Sequence, residues 1–347
     1  MSSSAPSPIA SAIVTPLTIL FWLAVVVHYH TADALSNGTT RTDAGSNRQA
    51  PGSGLAILWG SIKDMFRGTA NRAMEGGPEN LTPMDLLFFG VIIVLALEFL
   101  SFLVKRSGYW FHSKLIPVRG KHLDELSSLD HLFIGMNRIA TAPFVYFLLS
   151  YLYHEPNAVW DVKRLSVTNV ILPIPCIFVI YDFFYTILHW ALHIKAIYGF
   201  IHKHHHHQKA PSRATVDAIN VHPVEFFLGE YNHIFACFLY CRVLNMELHA
   251  ATVILFLIIG AVLAGLNHTR FDCVISLFGV TLYDSKYHDV HHRIPQSNYG
   301  QYIMFWDHVF GSFRDYNPND RINAKAQLDP RTGKSFQYME ALGTKSD

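Results

Sequence analysis

Residues 199–211 read GFIHKHHHHQKAP, so His202 and His204 to His207 place five imidazoles within six positions. Upstream, YDFFYTILHWALHIK carries His189 and His193, four residues apart and therefore on one helix face about one turn from each other. Downstream, KYHDVHHR carries His288, His291 and His292, repeating the HxxHH spacing of His202, His205 and His206. Neutral imidazole is a metal ligand, and these eight exceed the three or four that one tetrahedral zinc takes. They can hold two metals with coordination positions left open. Iron would make such a site chemically useful, because it activates dioxygen against unactivated C–H bonds. Imidazole also suits zinc, copper and nickel, so the ligand set alone does not choose. Asp182, seven positions before His189, lies on nearly the same face and could orient a ligand imidazole through its other nitrogen.

Blander explanations fit less well. An affinity tag is an uninterrupted terminal run, whereas Lys203 breaks this internal one. A histidine-rich surface loop would account for His204 and His207, which are read as neighbours of the ligands, but not for the return of HxxHH at His288. Of the chain's 21 histidines, fifteen fall between His189 and His308; His233, His249 and His308 are assigned to packing or interfacial positions. Cys176, Cys237, Cys241 and Cys273 lie in or beside apolar runs without a CxxC pair, and are read as buried thiols.

The elements that must position these boxes are apolar. Half of the 347 residues are hydrophobic and only 15% are charged, against about 25% in soluble proteins. A net charge of +1 gives no reason to expect nucleic acid. Ile9 to Val27 is a first apolar run, preceded by no Lys or Arg and so a poor signal-peptide start; it is read as a cleaved signal, a signal anchor or an organellar targeting piece, the anchor being favoured. A polar stretch follows. Met84 to Val104 is long enough to cross a bilayer, with Glu98 tolerated only if it faces other helices. Leu132 to Tyr153 and Leu165 to Leu188 come next, the latter expected to kink at Pro173 and Pro175; His233 to Leu244 and Ala250 to Leu266 could form a tight hairpin. The basic loop carrying Lys105, Arg106, Lys114, Arg119 and Lys121 argues for a cytosolic face, and counting crossings returns every histidine box to that face. The N-x-T sequons at Asn37 and Asn80 then fall on the luminal side.

The motifs YDFFYTILHWALH, IHKHHHHQKAP, VHPVEFFLG, NHTRFD, KYHDVHHRIPQSNYGQY and FWDHVFGSF, in this order, resemble the fatty acid hydroxylase/sterol desaturase superfamily of membrane di-iron oxygenases. The resemblance covers roughly residues 132–316. It implies that His189, His193, His202, His205, His206, His288, His291 and His292 hold two irons, with His268 of NHTRFD as a ninth ligand. His222 of HPVE matches a further family position, as either a ligand or a residue supporting the ligands, and Asp272 of NHTRFD is a further supporting candidate. NYGQY and GSFR are similar to sterol C-5 desaturases; the HPVEFFLG and NHTRFD stretches are equally similar to sterol C-4 methyl oxidases.

The expectation is therefore an all-α integral membrane protein, with about four transmembrane helices in hairpins and a cytosolic helical cap holding the di-metal site. Its segments are 1–30 (N-terminal apolar), 31–80 (polar, flexible, luminal), 81–316 (membrane oxygenase domain) and 317–347 (polar tail). It would hydroxylate or desaturate a lipid, most plausibly a sterol, in the endoplasmic reticulum membrane. Dioxygen and electrons from a cytochrome b5-type donor and its reductase would be consumed. A fatty acid, sphingolipid or carotenoid hydroxylase is the alternative on the same scaffold. A histidine-rich metal transporter is the alternative of another class, disfavoured because transporters place ligands near the bilayer midplane.

Overall fold

A computed structural model of the chain describes residues 54–110, 113–329, 334–335 and 337–338. The apolar run Ile9 to Val27, the sequon at Asn37 and most of the C-terminal tail beyond residue 329 lie outside the described residues.

The first compact unit comprises residues up to 95 together with 145–153. Its described part opens with α1 (Gly54–Gly76), a short 3-10 turn (Pro78–Asn80) and the start of α2 (Pro83–Trp110). The segment 31–80, read as a flexible linker, thus contains a helix. Within α1, Ile62 and Met65 pack with Phe88, Met84, Leu87 and Ile92. Asp85 ties the turn together. It accepts from Thr69 Oγ1 (2.7 Å), Arg72 Nε (2.8 Å) and both the backbone N–H and hydroxyl of Thr82.

The second unit comprises residues 96–144 and 154–347 and holds every histidine box. Among the described residues, four helical spans are long and apolar enough to cross a membrane: Pro83–Gly108, Ser128–His154, Val167–Leu192 and Ala250–Asn267. They correspond to α2, to α3 (Ser128–His154), to a π turn (Val167–Ile171) running into α4 (Pro173–Leu192), and to α8 (Ala250–Asn267). Pro173 stands in the first turn of α4, where the missing N–H would have been unpaired in any case. The chain is therefore interrupted before the helix rather than within it. Glu98 in α2 lies 2.7 Å from Arg138 of α3, which is the helix-facing partner that a charge in an apolar run requires.

Between α4 and α8 come α5 (Lys195–Tyr198), α6 (Thr215–Ala218) and α7 (Pro223–Phe238), the last continuing as a π turn (Leu239–Val243). α4 and α8 run in the same direction: near their starts Thr252 Oγ1 donates to the carbonyl of Asn169 (2.8 Å), and their ends deliver His189 and His268. α7 must therefore carry the chain back. It begins beside His202 through Glu225, and its π turn reaches Asn157, whose amide donates to the Cys241 carbonyl (2.7 Å). The 16-residue helix and five-residue turn together cover roughly 30 Å, about the thickness of a bilayer's hydrocarbon core. α3 likewise starts beside His204, with Asp130, and ends next to Glu155, whose carboxylate pairs with Arg242 (2.7 Å) at the other side. All histidine boxes thus lie at one end of the crossing segments.

Two short pairs of strands interrupt an otherwise helical fold. β1 (Ala158–Val159) pairs in parallel with β2 (Leu248–His249). β3 (Val274–Leu277) and β4 (Val280–Asp284) form an antiparallel hairpin turning at Phe278 and Gly279, both at positive φ. The hairpin exposes Val274, Ile275, Leu277, Phe278 and Val280, an apolar surface that helical periodicity did not reveal. It leads into α9 (Ser285–Arg293); α10 (Phe305–Phe310) follows and ends at Gly311 in the left-handed region.

Candidate metal centre

Nine imidazoles converge in two adjoining groups. One consists of His189, His193, His202, His206 and His291, and the other of His205, His268, His288 and His292. Within each group the ligand atoms lie within 4.8 Å of one another. Neither HxxHH box belongs to a single group. His205 and His206 are neighbours in the chain but serve different groups, as do His291 and His292, because consecutive residues of a helical turn diverge by about 100°.

Outer hydrogen bonds fix how several rings face. His189 Nδ1 donates to the Tyr299 carbonyl (2.7 Å), His291 Nδ1 to Ser297 (2.7 Å), His292 Nδ1 to Gln208 (2.9 Å) and His268 Nδ1 to Ala264 (2.8 Å). His202 Nδ1 donates to the Glu225 carboxylate (2.8 Å). With Nδ1 protonated, each neutral ring presents a bare lone pair at Nε2. Yet His189 Nε2 and His202 Nε2 stand 3.0 Å apart, with no proton available to bridge them. The lone pairs of His189 and His202 repel unless a cation lies between them. His268 Nε2 and His288 Nε2 are 3.2 Å apart, and His291 Nε2 and His206 Nε2 3.1 Å; the buried Nδ1 atoms of His288 and His206 have no hydrogen-bond partner, so these two rings can carry their proton on either nitrogen. The buried His193 Nε2 has no hydrogen-bond partner either. The donor set fits a bound metal in each group, and the outer acceptors are the kind that orient metal-bound histidine.

Burial reinforces this. Desolvation, with the neighbouring imidazoles, holds His205, His288, His291 and His292 well below the usual histidine range. It also lowers His206 and His268. The same cause brings the less buried His193 down to about 3. Such rings are neutral at physiological pH, the form that binds metal.

The supporting residues differ from those read in the sequence. Asp182 accepts from the backbone N–H groups of Tyr302 (3.1 Å) and Ile303 (2.6 Å) rather than from an imidazole. It acts one step further out, on the loop 297–303 whose Ser297 and Tyr299 carbonyls receive His291 and His189. Asp307 braces the same loop, accepting from Tyr299 N and Gly300 N at 2.8 Å each. Gly300 is required there, since a Cβ would come within 2.6 Å of the Ile303 carbonyl oxygen. His222 stands outside both groups and caps α7, its Nδ1 accepting from Val224 N (3.2 Å). Asp272 pairs with Lys286 instead of a histidine.

Three contributors went unnoticed in the sequence. Glu225, in HPVE, orients His202. Arg270 and Asp289, inside NHTRFD and KYHDVHH, form a buried pair at 2.7 Å that anchors α9, and Arg270 also donates to the Ile116 and Pro117 carbonyls. Only their positions within otherwise histidine-defined motifs could have flagged them. His204 and His207 belong to neither group; both approach Asp130. His233 packs against Tyr181 and Phe256, His249 caps α8 and His308 stacks on Phe313.

Comparison with known proteins follows from this arrangement. Residues 174–312 match the family model described as fatty acid hydroxylase. The chain is 30% identical over 131 residues to the Delta(7)-sterol-C5(6)-desaturase of Nicotiana tabacum, covering 37% of this chain and 44% of that protein. It is 27% identical over 160 residues to the lathosterol oxidase of Rattus norvegicus (46% and 50%) and 27% identical over 153 residues to methylsterol monooxygenase 1 of Danio rerio (44% and 50%). The chain thus spans about half the length of the curated relatives it matches. No solved structure gives a significant match.

Proposed function

Residues 174–312 of this chain match the fatty acid hydroxylase family model, and from that match we propose that the protein is a membrane-bound di-iron oxygenase acting on a sterol. The observation that carries the proposal is the pair of adjoining imidazole groups, of five and four rings, with the ligand atoms of each within 4.8 Å of one another and the lone pairs of His189 and His202 facing at 3.0 Å. Their ligands would be His189, His193, His202, His206 and His291 for one iron, and His205, His268, His288 and His292 for the other. The relatives named for desaturation of a sterol ring and for oxidation of methylsterols support the substrate class.

Bound iron would supply the activation of dioxygen that C–H oxidation needs. This chain's residues would do the rest. The carbonyls of Ser297, Tyr299, Gln208 and Ala264 and the Glu225 carboxylate hold five rings in one tautomer, so no reorganisation is needed on binding. Burial of the rings excludes water. Hydroxylation converts a C–H bond and dioxygen, with an external electron pair and two protons, to an alcohol and water. Desaturation consumes the same inputs, removes two hydrogens from adjacent carbons and releases a second water. We assign the electrons to a cytochrome b5-type donor, the location to the endoplasmic reticulum membrane, and the histidine face to the cytosol. The basic residues of the 105–121 segment support that orientation.

The test is expression in cells lacking either a sterol C-5 desaturase or a methylsterol monooxygenase, followed by sterol profiling. Restoration of the missing product in one strain, lost with His291→Ala, is expected. Unchanged sterols in both, with no label from heavy-isotope dioxygen entering any sterol or its released water, would overturn the proposal.

A further inference from the structure

Beyond the two buried groups, His204 precedes the turn His205–His207 and His207 ends it, and both face the opposite way, toward the start of α3. There Asp130 is almost fully buried, its side chain 2% exposed. Its two oxygens are differently employed. Oδ2 accepts from the Ser127 backbone N–H and hydroxyl, both at 2.6 Å. Oδ1 is met by His204 Nε2 at 3.1 Å, His207 Nε2 at 3.2 Å and the Asn220 amide nitrogen at 2.8 Å. The Asn220 carbonyl oxygen in turn stands 2.9 Å from His204 Nε2.

The protons decide how this cluster is read. His207 Nδ1 faces the His204 carbonyl, which can only accept, so that nitrogen carries a hydrogen. Either a second proton on His207 or a metal ion must then stand between its Nε2 and the carboxylate, while His204 Nε2 faces the Asp130 and Asn220 oxygens. The three ligand atoms of Asp130, His204 and His207 lie within 4.8 Å of one another, close enough to share one ion. Two imidazole nitrogens, one carboxylate oxygen and one amide oxygen form a four-donor set. The spacings of 2.9 to 3.2 Å from His204 to Asn220 and from both histidines to Asp130 would open slightly to the roughly 3.4 Å edges of a tetrahedral zinc site.

We propose that Asp130, His204 and His207, completed by the Asn220 side-chain oxygen, form a third metal site that takes a zinc-class divalent ion. The site would clasp the turn to α3. His205 and His206, one from each buried group, lie between its two histidines, so the ion would hold the link between those groups in register. The proposal stands apart from the oxygenase reading, because its readout is metal content and not oxidation.

The full chain is purified without a polyhistidine tag or a metal-affinity column, equilibrated with zinc, desalted and measured for elements. Wild type is compared with Asp130→Asn, His207→Ala and His204→Ala/His207→Ala. His207 is about one third exposed, so its variant tests the site with little risk to folding. The expected result is a loss of about one zinc equivalent per chain in the variants, with other bound metal retained, and a nitrogen–oxygen ligand set at the zinc absorption edge in wild type only. Equal zinc in wild type and variants would overturn the proposal and assign the cation to a proton on His207. Loss of all metal together in His207→Ala would overturn it too, showing a brace and not a separate site.

Discussion

At the residue scale, the imidazoles are held by acceptors of unequal strength. Four of the five fixed rings donate to backbone carbonyls, but His202 donates to the Glu225 carboxylate, the kind of outer partner that orients a metal-bound imidazole. Glu225→Ala should therefore weaken metal retention by about 10–100-fold, and Glu225→Gln by less, since the amide can still accept. Competition against a chelator would measure it; equal retention in all three proteins would remove Glu225 from the centre. His222 supplies the contrast. It caps α7 and touches no metal group, so His222→Asn, which preserves an N-cap, should keep metal bound where His291→Ala releases it.

At the element scale, the site depends on two devices: the loop 297–303 and the anchoring of α9. Gly300→Ala places a methyl against the Ile303 carbonyl and the Asp307 carboxylate, both backbone-bracing groups that cannot yield freely. Metal retention should fall although no ligand is altered, and unaltered retention would show the loop to be pliant. The Arg270–Asp289 pair is buried on both sides. Arg270→Met alone leaves a buried carboxylate whose remaining partner is Arg293, and should cost about 3–5 kcal/mol. Pairing it with Asp289→Leu should recover part of that cost. Thermal unfolding in detergent would compare the three; a double variant less stable than the single one would refute the buried-charge account.

At the scale of the whole molecule, pH and membrane orientation are the measurable consequences. His193, His205, His206, His268, His288, His291 and His292 have folded-state pKa values below the ordinary one near 6.5, that of His193 at about 3. Well above about pH 6.5 folded and unfolded chains carry the same protons on these rings. Below it the unfolded chain binds more, so stability of the metal-free protein should fall as pH drops, and go on falling below about pH 3, where only the His193 contribution has levelled off. Metal release should follow the same direction, since protons compete for the lone pairs. A metal-free protein growing more stable between pH 7 and pH 5 would contradict the neutral-ring arrangement. For orientation, protease sites inserted in the exposed stretch 194–195 and after Asp315 should both be cut when only the plasma membrane is permeabilised. Protection of one alone would contradict the shared face.

Spacing alone picked out nearly every imidazole of the two groups, because HxxxH and HxxHH are local patterns that a helical turn converts directly into a shared direction. The apolar runs marked four crossings for a similar reason, since bilayer thickness translates into residue count. His268 needed the resemblance of NHTRFD, as a lone histidine after an apolar helix has no spacing to betray it. Tertiary structure decided what no local pattern contains. It split each HxxHH box between two groups, sent Asp182 to a loop instead of a ring, and turned α7 and its π turn into the return crossing. It also set Glu225 behind His202, Arg270 against Asp289, and Asp130 opposite His204 and His207. Each of these is a meeting of residues from separate helices or loops, and such meetings follow from how elements pack, not from the period of any one of them.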